Sequence, residues 1–260
     1  MHCEVTFATF GFDKYHTRRP HHRKWKAGMY ASDIEQLQEL PMFSGMSPEN
    51  LGRLLDAALL QKFPAGVVLI HESTQADFLH VLIDGLAEIY TEQDGGEWGI
   101  SLVNPVSTFI PAAIISNKPY LVSARTLLES RVLLIPANRV REVFDLDIVF
   151  ARAIAKELAR AYRGSVKKLK GYLARSSVER LANWILTEAQ KNTPQKNVVV
   201  PFDRSTLASH IGTTRENLSR NLAYLTDHGV RIRGREIVID DKDQLTVFAR
   251  PQRLIDDPAS

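Results

Sequence analysis

RSTLASHIGTTRENLSRNLAYLTD, residues 204–227, carries two short helical patterns around one glycine. Leu207, Ile211, Leu218, Leu222 and Leu225 recur at helical spacing and mark the buried stripes of two helices. Ala208 is small enough to let those helices approach closely. Gly212 stands where the chain must leave the first helix, a position that favours positive φ. Thr213 or Thr214 would cap the second helix and leave its free N–H groups toward a backbone phosphate. Glu216, in the first turn, suits the helix dipole. Together these features predict a helix-turn-helix, whose second helix is shaped for the major groove of DNA.

That second helix projects Arg215, Glu216, Ser219 and Arg220 from adjacent turns of one face. Arginine offers two donors to guanine, and glutamate accepts from the cytosine amino group. Taken alone, the same residues would also suit a solvated charged face. The next segment favours DNA. Residues 230–239, VRIRGREIVI, read as two short strands about a Gly-Arg turn. Such a wing brings Arg233 and Arg235 to phosphates, contacts that set register rather than sequence preference.

Upstream, Ile148, Ala151, Ala155, Leu158, Tyr162, Ser165, Leu169 and Tyr172 alternate at three and four residues. A seam of that length predicts a long helix pairing with its twin, with Gly164 costing about 1 kcal/mol relative to alanine. Arg175-Ser176-Ser177 breaks the pattern as a hinge and N-cap. An amphipathic stretch, Val178, Leu181, Ala182, Trp184, Ile185 and Leu186, then opens the DNA-binding unit. The basic side chains between 152 and 180 read as a solvated helix face.

Before position 138 the texture is different. Residues 67–70, 78–83, 86–90 and 131–135 are short apolar or β-branched runs separated by Pro64-Ala65-Gly66, Asp84-Gly85, Asp94-Gly95-Gly96 and Asn104-Pro105. They argue for an antiparallel roll or sandwich. Ser47-Pro48 reads as an N-cap and first-turn proline leading into Leu51, Leu54, Leu55, Ala58 and Leu59. Residues 1–32, with His2, His16, His21, His22 and a basic run, read as a flexible extension or an upstream stretch from a misassigned start.

The 260 residues suffice for two domains, and a net charge of +3 confines any nucleic-acid surface to a local patch. A single cysteine, Cys3, excludes an intramolecular disulfide and a cysteine-ligated iron–sulfur cluster within one chain. With no long apolar run and no signal peptide pattern, the chain reads as cytoplasmic, without a membrane partner.

From about residue 33 onward, the order of roll, central helix, GTTRENLSR and wing resembles the CRP/FNR superfamily of bacterial regulators. The resemblance implies an α+β chain: a cyclic-nucleotide-binding-like antiparallel β-roll (33–137), a dimerisation helix region (138–173), a winged helix-turn-helix (174–250) and a C-terminal tail (251–260). It implies base reading by Arg215, Glu216 and Arg220, and phosphate contacts from Arg204, Ser205 and Thr214. It also implies a homodimer on a palindromic operator with a TGA or TGTGA core, working with RNA polymerase. The strings 76–85, 104–115, 119–127, 130–137, 177–183, 216–220 and 249–256 are similar to FtrB-type activators of ferrous-iron transport genes. Arg215 departs from that subgroup, where proline is usual.

Cyclic-nucleotide members of the family hold the phosphate with a Gly-Glu pair and a later Arg-Ser. Here the stretch reads Thr108-Phe109-Ile110-Pro111-Ala112-Ala113, then Pro119-Tyr120-Leu121, so acid and cation are both missing and tight cAMP binding is not expected. No cofactor or metal site is assigned. Haem or ferrous iron on His71, His80 or the arm residues His2, Cys3, His21 and His22 stays open as a sensor alternative. Against it, His71 reads as a bonded strand residue and His80 as part of a strand face. Ile110 to Ile115 would line a small-ligand pocket or simply form core. No nucleophile–base pair suggests an enzyme. A nucleotide- or metal-binding roll that ignores DNA would leave residues 204–239 unexplained.

Overall fold

The computed structural model describes residues 37–93, 95–191 and 197–257. The arm residues His2, Cys3, His21 and His22 lie outside them. Helix α1 (Pro48–Leu55) starts as expected: Ser47 Oγ accepts the Asn50 N–H at 3.1 Å, with Pro48 in the first turn. It stops at Leu55, however, and Leu59 does not continue it. Leu59–Phe63 is a strand, β1, because its backbone pairs with residues 130–134.

The roll follows as β2 (Val68–Ile70), β3 (Phe78–Asp84), β4 (Ala87–Gln93), β5 (Gly96–Val103), β6 (Ser107–Phe109), β7 (Ser123–Thr126) and β8 (Ser130–Pro136). All pairings are antiparallel, in two four-stranded sheets ordered β1-β8-β3-β6 and β2-β7-β4-β5. A short helix, α2 (Pro111–Ser116), leaves β6. Buried Leu79, Val81, Leu133 and Ile135 form the centre of the core, closed by Leu51 and Leu54 of α1. Within the second sheet Arg125 donates to Glu88 at 2.6 Å and bidentately to Glu97 at 2.9 and 2.7 Å. That satisfies the buried Glu88 carboxylate, which burial alone pushes toward the neutral form.

The dimerisation helix region expected over 138–173 holds two helices. α3 (Ala137–Leu146) ends at Asp147, whose carboxylate accepts the N–H groups of Val149 and Phe150 and so caps a new helix, α4 (Ile148–Ala174). Phe150 and Ile154 of α4 are fully buried in the roll core, which ties the long helix to the sensor. The C-terminal unit comprises α5 (Ser177–Lys191), β9 (Asn197–Val199), α6 (Arg204–Ile211), α7 (Arg215–Thr226), β10 (Val230–Arg233), β11 (Glu236–Ile239), α8 (Lys242–Ala249) and α9 (Arg253–Asp256). Its three strands form an antiparallel sheet ordered β10-β11-β9. Within the expected C-terminal tail, residues 253–256 form a helix packed against α4.

His80 lies on β3 at 7% exposure, its Nδ1 3.0 Å from the Phe78 carbonyl and its ring 6.0 Å from that of Phe109. His71 falls just after β2 and is exposed, so it is not a strand residue. Burial pushes the His80 imidazole down to about 4. The unfolded chain therefore binds the extra proton, and stability is lost as pH falls from 6.5 toward 4. Urea titrations should show a loss on the order of 2 kcal/mol between pH 7 and 4.5 that His80→Gln removes. An unchanged slope in that variant would assign the acid loss to other groups.

Candidate nucleic-acid interface and its joint with the sensor

Asp203 caps α6 by accepting the Thr206 N–H at 2.7 Å. The helix leaves through Gly212 at φ 73°, and the Thr213 N–H returns to the Ala208 carbonyl at 2.9 Å. The Thr213 N–H is thus bonded within the turn, and its side chain is half-buried. Thr214 is the cap, its Oγ1 accepting the Asn217 N–H at 3.2 Å. Leu218, Leu222 and Leu225 bury one face of α7 against Leu207 and Ile211.

On the opposite face Arg215, Glu216, Ser219 and Arg220 are all exposed. The Glu216 backbone N–H and the Thr214 side chain hold the Glu216 carboxyl below its ordinary range, so it stays an acceptor. Arg204 and Ser205 are exposed at the start of α6. In the wing, Gly234 turns at φ 62°, leaving Arg233 and Arg235 exposed. Arg231 is held back instead, its Nε donating to Asp240 at 2.8 Å. The predicted DNA-facing residues, apart from half-buried Thr213, are therefore each exposed to solvent.

The sequence reading missed what holds this surface in place. β5 is the edge strand of its sheet, and its pairing with β4 slips between Ile89 and Tyr90, leaving Ile100 as a bulge. The freed backbone groups are read by two other elements. Gly99 N–H donates to Ser209 Oγ of α6, which itself donates to the Glu97 carbonyl at 3.0 Å. Lys168 Nζ of α4 donates to the Gly99 and Ile100 carbonyls, each at 2.8 Å, and burial pushes its ammonium down to about 8. A Cβ on Gly99 would lie 3.3 Å from the His210 nitrogen, a tight contact, so glycine suits this close approach. Leu86 of the roll also enters the core of the DNA-binding unit.

Arg180 closes the other side. Its Nε and Nη2 donate to the Ile211 and Gly212 carbonyls at 2.8 and 3.0 Å, and its guanidinium lies 4.8 Å over the Tyr172 ring. The two carbonyls lie 31 and 32 residues from Arg180, and no local sequence signal pairs them.

Two family models match the chain: the Crp-like helix-turn-helix domain over residues 179–248 and the cyclic nucleotide-binding domain over residues 60–147. The chain is a transcription regulator of the CRP/FNR family. It is 26% identical to the "Probable transcriptional regulator flp" of Lacticaseibacillus casei, over 81% of this chain and 96% of that one. It is 31% identical to a cAMP-dependent protein kinase regulatory subunit of Emericella nidulans, across 37% of this chain and only 23% of that protein. FixK2 from Bradyrhizobium japonicum shares the fold at a TM-score of 0.65 and 18% identity, covering 75% of this chain and 99% of FixK2.

In this CRP/FNR protein the expected seam divides. Ile148, Tyr162 and Leu169 are 63%, 72% and 57% exposed and share a heptad stripe with Ala155. Ala159, Val166 and Leu173, also exposed, continue it on the adjoining stripe. Leu158, by contrast, packs on the roll core, Ala151 is half-buried, and Tyr172 turns against Gly212. Within one chain, then, the expected seam residues differ in exposure, from Leu158 packed on the roll to open Tyr162.

A cleft of about 1230 Å³ separates the roll, α4 and the DNA-binding unit. Its roll side is lined by Ile89, Val103, Ser107, Thr108, Ile110 and Pro111, without an acid or a cation among the described residues. Among those residues, no group of three His, Cys, Asp or Glu is placed to hold a metal ion, and no helix is long and apolar enough to cross a membrane.

A Cβ at Gly212 would lie 2.5 Å from the Tyr172 ring, at a φ that disfavours any side chain. Gly212→Ala should therefore cost more than about 1 kcal/mol in urea unfolding. Adding Tyr172→Ala should recover part of that loss; strictly additive losses would show that the ring does not press on the turn.

Proposed function

We propose that two copies of this chain pair along the exposed stripe of α4 and activate transcription from a palindromic operator together with RNA polymerase. Carrying this reading is the exposed constellation Arg215, Glu216, Ser219 and Arg220 on α7, flanked by the Arg233–Arg235 wing. Arginine and glutamate at the start of such a helix address guanine and the cytosine amino group. Arg204, Ser205, Thr213 and Thr214 with the two wing arginines set its register on phosphates. Pairing must place the two α7 helices about 34 Å apart, one turn of DNA. The roll spans 33–137, the dimerisation region 138–173 and the reading head 174–250, with the strap beyond 251 acting on that head. The resemblance to FtrB-type activators points to iron-transport genes as targets.

Cyclic AMP is not the effector on this reading. The roll stretch 108–113 offers neither an acid for a ribose hydroxyl nor a cation for a phosphate, and two cations of the cleft, Lys168 and Arg180, come from α4 and α5 and are already bonded to backbone carbonyls. Calorimetry should show no saturable cAMP isotherm at micromolar concentrations. A micromolar isotherm would overturn this assignment.

DNA reading is tested by anisotropy titrations at fixed salt. Arg220→Ala should abolish the preference for operator over scrambled duplex while leaving the association state unchanged. Arg235→Ala should weaken both duplexes alike and lower the salt slope by about one. Retained operator preference in Arg220→Ala would refute the assigned face.

A further inference from the structure

After α8 the chain does not run free but crosses back over the joint between α4 and α5. Asn183 Nδ2 donates to the Ala249 carbonyl at 2.7 Å and anchors the start of the crossing. Asp256, at the end of α9, then receives both terminal nitrogens of Arg175, at 2.7 and 2.6 Å. The two side chains are 7% and 15% exposed. The Gln252 N–H donates to the same carboxylate at 2.6 Å, and Lys167 Nζ holds the Asp257 carbonyl at 2.8 Å.

Arg175 is the residue at which α4 ends, with φ −137° and ψ 144°. Its carbonyl accepts Arg180 Nη1 at 2.7 Å, and the other Arg180 nitrogens hold the carbonyls of the helix-turn-helix turn. A continuous chain of contacts therefore runs from the Asp256 carboxylate through Arg175 and Arg180 to the turn before α7. A planar, bidentate arginine–carboxylate contact fixes direction as well as distance. Placed at the only break between α4 and α5, it constrains the angle between the helix that would pair and the helix that would read DNA.

We propose that Asp256 is a positioning residue for DNA recognition. Acting through Arg175 and Arg180, the C-terminal strap sets the angle of the reading head, so that both α7 helices of a pair fit one palindrome. This rests on the dimeric reading above. A strap that merely stabilised the DNA-binding unit would affect one half-site as much as two; a strap that sets angle matters only when two half-sites must be met together.

The test uses the full chain. Wild type first selects its operator from random duplexes, and affinities are then compared for the inverted repeat and for a single half-site. Asp256→Asn should weaken the repeat about tenfold and leave the half-site unchanged within about twofold. Arg175→Gln should do the same, and the double variant should be no worse than either single one, because both break one link. An unchanged ratio of repeat to half-site affinity, parallel loss of both, or additive losses in the double variant would each overturn the role of Asp256. A wild type that selects single sites without an inverted repeat would refute the dimeric reading and this inference with it.

Discussion

An edge strand leaves a row of N–H and C=O groups that no neighbouring strand satisfies, and β5 compounds this with a bulge at Ile100. The fold meets that constraint with side chains from two other elements, Ser209 of α6 and Lys168 of α4. One strand of the sensor is thereby in contact with both the long helix and the DNA-binding unit. Removing Ser209 or Lys168 would leave buried backbone groups unpaired, at about 1–3 kcal/mol each. The roll and the reading head cannot shift against each other without disturbing the same few backbone atoms.

Arg180 and Tyr172 hold the opposite side of the joint by different physics. Arg180 contributes charge-assisted donors to two carbonyls of the turn, while Tyr172 contributes a flat ring beneath the guanidinium. Gly212 makes room for both. Its positive φ ends α6, and the absence of a side chain lets the ring approach. A residue legible in the sequence as a turn former thus also serves an interdomain contact.

α4 is divided along its length in the same way. Its first turns bury Phe150 and Ile154 in the roll, its middle exposes a heptad stripe, and its end is gripped by the DNA-binding unit and the strap. A helix so constrained at both ends transmits orientation between the sensor and the recognition surface with little freedom to absorb it. The break at Asp147 is part of this arrangement, because a cap there lets the helix start afresh at the angle the roll core requires.

How much of this was legible beforehand follows from the range of each interaction. The helix-turn-helix, the wing turn, the Ser47 cap and the helix break with its Ser176 cap rest on contacts within a few residues, so spacing and residue type specified them. The face of α7 carrying Arg215, Glu216, Ser219 and Arg220 followed from helical periodicity alone. Strand β1 did not, since Leu59 continues a helical pattern and only pairing with β8 across the roll draws it into the sheet. That Leu158 packs on the roll core and Tyr172 against Gly212 was not legible, because apolar spacing does not reveal what a side chain packs against. The Arg175–Asp256 link joins residues 81 positions apart, and the Lys168 contacts reach back 68 and 69. Local chemistry therefore determined what this protein can read, and the tertiary structure decided how its reading head is held, because orientation depends on contacts that exist only once the chain has folded.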